Sequence, residues 1–168
     1  MSKHQTAPQL QHLRVLVVDD NQDMRLLMRR MLASLGIKHI SEATDGWAAL
    51  TILGESGFDV IFSDLEMKPM NGIDFTREVR TSRHCSNSIV PIIMVTGRTE
   101  MQLVQTARDS GITEFIVKPV STKALQSRLT EIVERPRPFV RKPSYVGPDR
   151  RRKRIDGLAS RRREDLTQ

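Results

Sequence analysis

Four apolar runs and one shorter mixed run, separated by stretches with a helical period, leave this chain few ways to fold. The runs cover residues 14–19, 37–42, 58–63, 89–95 and 114–117. In Val15-Leu16-Val17-Val18 and Val60-Ile61-Phe62 the apolar residues are continuous, the pattern of strands buried on both faces. After the first run, Met24, Leu27, Met28, Met31, Leu32 and Leu35 fall at i, i+3, i+4, i+7, i+8 and i+11, one face of a helix that Gly36 is placed to end. Asp45 can cap a second helix carrying Trp47, Leu50 and Leu53. Residues 71–80 read as a third helix, with Phe75 and Val79 four apart, and residues 99–110 as a fourth, closed by Gly111. Ser121 caps a fifth, with Leu125, Leu129, Ile132 and Val133 on one face. Pro91 lies inside the fourth strand run and weakens its first residues as strand. The alternation predicts an α/β fold: a five-stranded, doubly wound parallel sheet flanked by five helices.

In such sheets, ligands bind beyond the carboxyl ends of the strands. Asp19 and Asp20 close the first run, Asp64 the third and Thr96 the fourth, while Lys118-Pro119 closes the fifth and Phe115 lies within it. Neighbouring parallel strands would bring these ends to one edge. Magnesium prefers hard oxygen ligands in a tight octahedron and keeps several waters, so an acidic pair plus a third aspartate suits it. One of those carboxylates can also attack phosphorus and form an aspartyl phosphate. Lys118 can balance charge on the phosphoryl oxygens, and the Thr96 hydroxyl can bond one of them. Taken singly, each residue has a plainer role: a loop start, a helix cap, a surface charge, a strand-end hydroxyl, a core aromatic. Their joint placement favours a phosphoryl site.

Residues 13–134 resemble the receiver domain of bacterial response regulators in two-component signalling. The motifs are Val17-Val18-Asp19-Asp20-Asn21, Asp64-Leu65-Glu66-Met67 through Met70-Asn71-Gly72, Val95-Thr96-Gly97, and Phe115 with Lys118-Pro119. The resemblance implies the flavodoxin-like receiver fold and a phospho-acceptor at Asp64. It implies Mg2+ held by Asp19, Asp20, Asp64 and the backbone carbonyl of Glu66, with Lys118 pairing with the phosphoryl group. Thr96 and Phe115 would be the switch residues, and the Lys118-Pro119 peptide would be cis. A histidine kinase or histidine phosphotransfer protein would be the donor. The helix 4–strand 5–helix 5 face would then bind a downstream protein. Turnover of a separate substrate is not expected. Two positions depart from the family pattern: the proline after Met67 is displaced by Lys68, and Glu66 puts a carboxylate beside the phosphoryl site.

Charge is divided unevenly. Residues 1–134 carry 15 Lys+Arg against 16 Asp+Glu, whereas residues 135–168 carry 12 against 4, so the net +7 belongs to the tail. Residues 1–12 are expected to be disordered. Residues 135–168, opening with Arg135-Pro136-Arg137-Pro138, are expected to be a basic tail, mostly unstructured. The tail could be solvated charge, an autoregulatory or partner-docking element, or an attachment to nucleic acid or an anionic surface. The nucleic-acid reading is the alternative function and is not favoured. The four histidines show no metal spacing, and the single Cys85 fits a reducing compartment. The longest apolar stretch, residues 89–95, is too short to span a bilayer, and residues 1–11 lack an export signal. The expectation is a stand-alone cytoplasmic receiver without membrane insertion.

Overall fold

The structure is a computed structural model and describes residues 8–151. A 3-10 turn, Pro8–His12, leads into β1 (Arg14–Val18), α1 (Gln22–Ser34), β2 (His39–Ala43), α2 (Gly46–Glu55), β3 (Val60–Asp64) and α3 (Gly72–Thr81). Then come β4 (Ile92–Thr96), α4 (Met101–Ser110), β5 (Glu114–Val117) and α5 (Thr122–Glu134). The hairpin strands β6 (Phe139–Lys142) and β7 (Tyr145–Pro148) follow. The main sheet is parallel throughout, in the order β2-β1-β3-β4-β5.

Alternation along each strand sorts the core into two layers. Leu16, Val18, Ile61, Ile92 and Met94 face one side, packed with residues of α2, α3 and α4 such as Leu53, Phe75, Val79 and Ala107. Val15, Val17, Phe62, Ile93 and Val95 face the other, with Met28 and Leu32 of α1 and Leu125 and Leu129 of α5. Side chains cap the helix starts. Asp45 accepts from the Ala48 N–H at 2.9 Å and Ser121 from the Ala124 N–H at 3.1 Å, as expected, while Asn21 and Asn71 do the same for α1 and α3.

Several expectations need correction. The fourth strand begins at Ile92, not at residue 89. Pro91 has no N–H to give a ladder, and the carbonyls of Ser88 and Val90 are taken by Arg80. Trp47 and Leu27 are not core: they are 58% and 41% exposed. The buried row of α2 is Gly46, Ala49 and Leu53: Leu53 is core as expected, while Gly46 and Ala49 take the places expected of Trp47 and Leu50. The segment 1–12 was expected to be disordered, yet its described part, Pro8–His12, is a 3-10 turn with Leu10 buried against the α1–α5 layer. Within the tail, expected to be mostly unstructured over residues 135–168, the described part holds β6 and β7 as an antiparallel hairpin, pairing Phe139 with Pro148 and Lys142 with Tyr145. The basic runs beyond residue 151 lie outside the described residues.

Candidate functional site

The sheet order decides where the site is. β1 and β3 are adjacent, so Asp19 and Asp20, which follow β1, lie beside Asp64, the last residue of β3. One carboxylate oxygen from each of the three aspartates lies within 4.8 Å of the others. An octahedral magnesium ion with bonds of about 2.0–2.1 Å sets its ligands at most about 4.2 Å apart, so the three carboxylates need draw in only slightly to hold one. Asp19 and Asp64 are buried and Asp20 is exposed. The Asn21 N–H donates to Asp19 Oδ1 at 2.9 Å, and Arg25 Nη1 holds the Asp19 carbonyl at 2.8 Å, which ties the first residues of α1 to the acidic pair.

On the other side of Asp64, Lys118 Nζ donates to Asp64 Oδ1 at 3.1 Å. The Lys118-Pro119 peptide that follows β5 is cis, as expected, and so is Lys68-Pro69, at the displaced proline. Thr96 is buried at the end of β4. Its hydroxyl accepts from the Arg98 N–H at 2.9 Å, so it is turned towards its own loop and not towards Asp64. Phe115 is half-buried, packed at the margin of the α2–α3–α4 layer, and sits opposite Met94 in the ladder. Glu66 is exposed, and its side chain meets Arg98 Nη1 at 3.5 Å across the mouth of the site.

Burial is the main cause holding the carboxyls of Asp19 and Asp64 above the ordinary 3.8, and the neighbouring aspartates add to it. A hydrogen bond from Asn21 to Asp19, and one from Lys118 to Asp64, pull the other way. Both groups therefore bind protons more tightly in the folded than in the unfolded chain. Stability of the metal-free protein is expected to fall as pH rises from 3.8 through the higher folded values. Asp19→Asn should flatten that fall; thermal melting across the acid range checks it.

Sequence reasoning gave no role to two contributors. Gly72, the first residue of α3, lies so close to β3 that a Cβ there would strike the Asp64 carbonyl and come 2.8 Å from Met94 Sδ. Its N–H donates to the Leu65 carbonyl at 2.9 Å. Gly72→Ala is expected to displace the Asp64 backbone and slow phosphorylation about tenfold or more, with the fold kept; phosphorylation rates beside circular dichroism test it. Arg98 was the second. Its position two residues past Thr96, facing Glu66 two residues past Asp64, was the available signal. A cavity of about 230 Å3 lies at the opposite end of the sheet, between the hairpin and the β5–α5 edge.

The family model described as response regulator receiver domain matches residues 15–130. The chemotaxis protein CheY-3 of Vibrio cholerae is 32% identical over 124 residues, covering 74% of this chain and 94% of that protein. CheY of Pseudomonas aeruginosa is 32% identical over 123 residues, covering 73% and 98%. Among solved structures, Vibrio cholerae CheY4 superposes with a TM-score of 0.66 at 32% identity, over 71% of this chain and 98% of that one. The receiver domain of the Pseudomonas aeruginosa sensor histidine kinase PA1611, described with magnesium coordinated in its active site cleft, gives a TM-score of 0.65 at 26% identity, over 73% and 98%. With the family model running from within β1 into α5, across the body that carries the acidic edge, this chain belongs to the response regulator receiver family and is a phospho-accepting response regulator.

Proposed function

We propose that Asp64 takes the phosphoryl group from a phosphohistidine on a histidine kinase or histidine phosphotransfer protein in the cytoplasm. The contact that carries this reading is Lys118 Nζ at 3.1 Å from Asp64 Oδ1, on the side of Asp64 away from the acidic pair. An Asp64 oxygen forms a bond to phosphorus while the donor's N–P bond breaks, and the imidazole leaves with the bonding electrons. Negative charge on the phosphoryl oxygens then lies beside the ammonium of Lys118, already positioned before the reaction. A magnesium ion held by Asp19, Asp20, Asp64 and the Glu66 carbonyl would supply the second cation. The Thr96 hydroxyl, freed from Arg98, would bond a third phosphoryl oxygen, and Phe115 would move into the space it leaves. The helix 4–strand 5–helix 5 face, α4–β5–α5 here, would thereby change for a downstream protein. Met101 and Val117, 87% and 51% exposed, give that face apolar contact area.

Acetyl phosphate with magnesium should add one phosphoryl group, seen by intact mass, and shift the amide signals of Thr96 and Phe115. A wild type that gains no mass overturns the proposal. Magnesium binding is expected to stabilise the fold by about 2.7 kcal/mol at a concentration 100 times its Kd. That gain should shrink in Asp20→Asn, measured by thermal melting with and without the ion. The nucleic-acid reading of the basic tail finds no support: two of its arginines, Arg137 and Arg150, are paired with Glu114 and Asp109 of the body. No helix among the described residues is long and apolar enough to cross a membrane.

A further inference from the structure

The hairpin is docked, and where it docks carries a consequence. β7 lies against the ends of α3 and α4 through Val146, Gly147 and Pro148, the last two buried. The contact is close. Gly111, which ends α4 at φ 102°, and Gly147 meet backbone to backbone: a side chain on Gly111 would strike the Val146 carbonyl, and one on Gly147 would come 2.8 Å from Gly111 Cα. Two arginines flank this contact. Arg150 Nη2 reaches Asp109 Oδ1, in the last turn of α4, at 2.7 Å, with its guanidinium 4.0 Å over the Tyr145 ring. Arg137 Nη2 reaches Glu114 Oε1 at 2.7 Å.

Glu114 is the first residue of β5 and precedes Phe115. Arg128 of α5 holds the same pair, with Nη1 at 3.7 Å from Glu114 Oε2 and Nε at 3.2 Å from the Phe115 carbonyl. The hairpin therefore grips the two elements that flank the switch residues: the end of α4 and the start of β5. In the same structure the Thr96 hydroxyl is engaged by Arg98 and not by Asp64. The docked hairpin thus accompanies the arrangement in which Thr96 is not at the site.

The grip is opposed from within. The Arg80 guanidinium lies 5.3 Å over the Phe139 ring of β6, an attractive cation–π contact, but it is only 2% exposed. Arg80 donates to the carbonyls of Gly111, Ser88 and Val90, yet its Nη2 has no hydrogen-bond partner among the described residues. Burial lowers its pKa to about 10, so it remains a cation and its desolvation works against docking. The half-exposed Arg150–Asp109 pair adds little in water. Favourable and unfavourable contributions of this kind suit an element that has to let go.

We propose that the C-terminal hairpin is an autoregulatory strap, docked across the ends of α3 and α4 and the start of β5, that favours the resting arrangement and is loosened by phosphorylation. The inference rests on Asp64 being the acceptor. An element bound to one state of an equilibrium biases it, and the coupling is reciprocal: whatever factor the strap takes from phosphoryl affinity, phosphorylation takes from strap docking.

The test uses the full chain with magnesium and beryllofluoride as the phosphoryl mimic. Amide hydrogen exchange in residues 139–150 of the wild type should quicken at least about fivefold when beryllofluoride binds, the low end of allosteric couplings. Gly147→Val, and separately Arg137→Ala with Arg150→Ala, should release the hairpin and tighten beryllofluoride binding by a similar factor, followed at the Thr96 amide. If the Thr96 amide responds while hairpin exchange stays the same or slows, the strap is overturned and the acceptor reading stands. Variants with a released hairpin and wild-type affinity overturn it equally. A wild type in which neither Thr96 nor the hairpin responds overturns the acceptor reading and the strap together.

Discussion

Asp64→Asn is expected to abolish phosphorylation by acetyl phosphate or a phosphohistidine donor, with the fold intact. The amide has nearly the shape of the carboxylate but no anionic oxygen to attack phosphorus. The variant also removes a charge that burial disfavours, which offsets the lost Lys118 contact, so unfolding is not the cause of the loss. Lys118→Ala separates nucleophile from charge partner. Asp64 keeps its oxygen, but one preorganised cation is missing, and the rate should fall about 10²–10³-fold, the usual effect of deleting one such stabilising donor. The pair is read by intact mass over time beside circular dichroism of each variant. Full-rate phosphorylation of Asp64→Asn would move the acceptor elsewhere; a Lys118→Ala rate within threefold of wild type would remove Lys118 from the site.

What the chain discloses unaided follows from what a parallel sheet does. Continuous apolar runs announce buried strands, and the βα alternation sends every strand's carboxyl end to one edge. The convergence of Asp19, Asp20, Asp64 and Lys118 was therefore legible from position, as were the caps Asp45 and Ser121, whereas the turn of the Thr96 hydroxyl towards Arg98 was not. Contacts whose partners are backbone atoms were not legible. Arg80 reads as one more surface charge on a helix, because the carbonyls of Ser88, Val90 and Gly111 that receive it leave no trace in residue type. Gly72 was legible as part of a motif but its reason was not, since close approach to β3 appears only in three dimensions. The hairpin was hidden differently. Phe139-Val140 and Tyr145-Val146 around Pro143-Ser144 form a weak two-strand pattern, masked by the basic composition. Its docking depends on Asp109, Gly111 and Glu114, acidic or small residues that say nothing about a partner so far along the chain.

Arg80→Ala is expected to cost about 3–5 kcal/mol of stability, a large share of what a domain of this size has. Three donor contacts go at once: Nε to Gly111 at 3.0 Å, and Nη1 to Ser88 at 2.9 Å and to Val90 at 2.7 Å. Ser88 and Val90 lie in the lead-in to β4, and Gly111 closes α4, so the guanidinium fastens the amino ends of β4 and β5 to α3. Without it the carbonyls lose their donors, each at about 1–3 kcal/mol where water cannot replace them, and a cavity opens under Phe139. Removing a desolvated cation with an unpartnered Nη2 returns part of this, which keeps the total below the plain sum. Arg80→Lys keeps the charge but not the fork, and one ammonium cannot reach carbonyls on both sides, so it should recover less than half. Arg80→Met fills the space without donors and separates the packing loss from the hydrogen-bond loss. Urea unfolding tests the series: the midpoint should fall in the order Arg, Lys, Met, Ala with the slope unchanged. An Arg80→Ala unfolding free energy within about 1 kcal/mol of wild type would mean that burying the cation cancels its three bonds, leaving nothing for it to fasten.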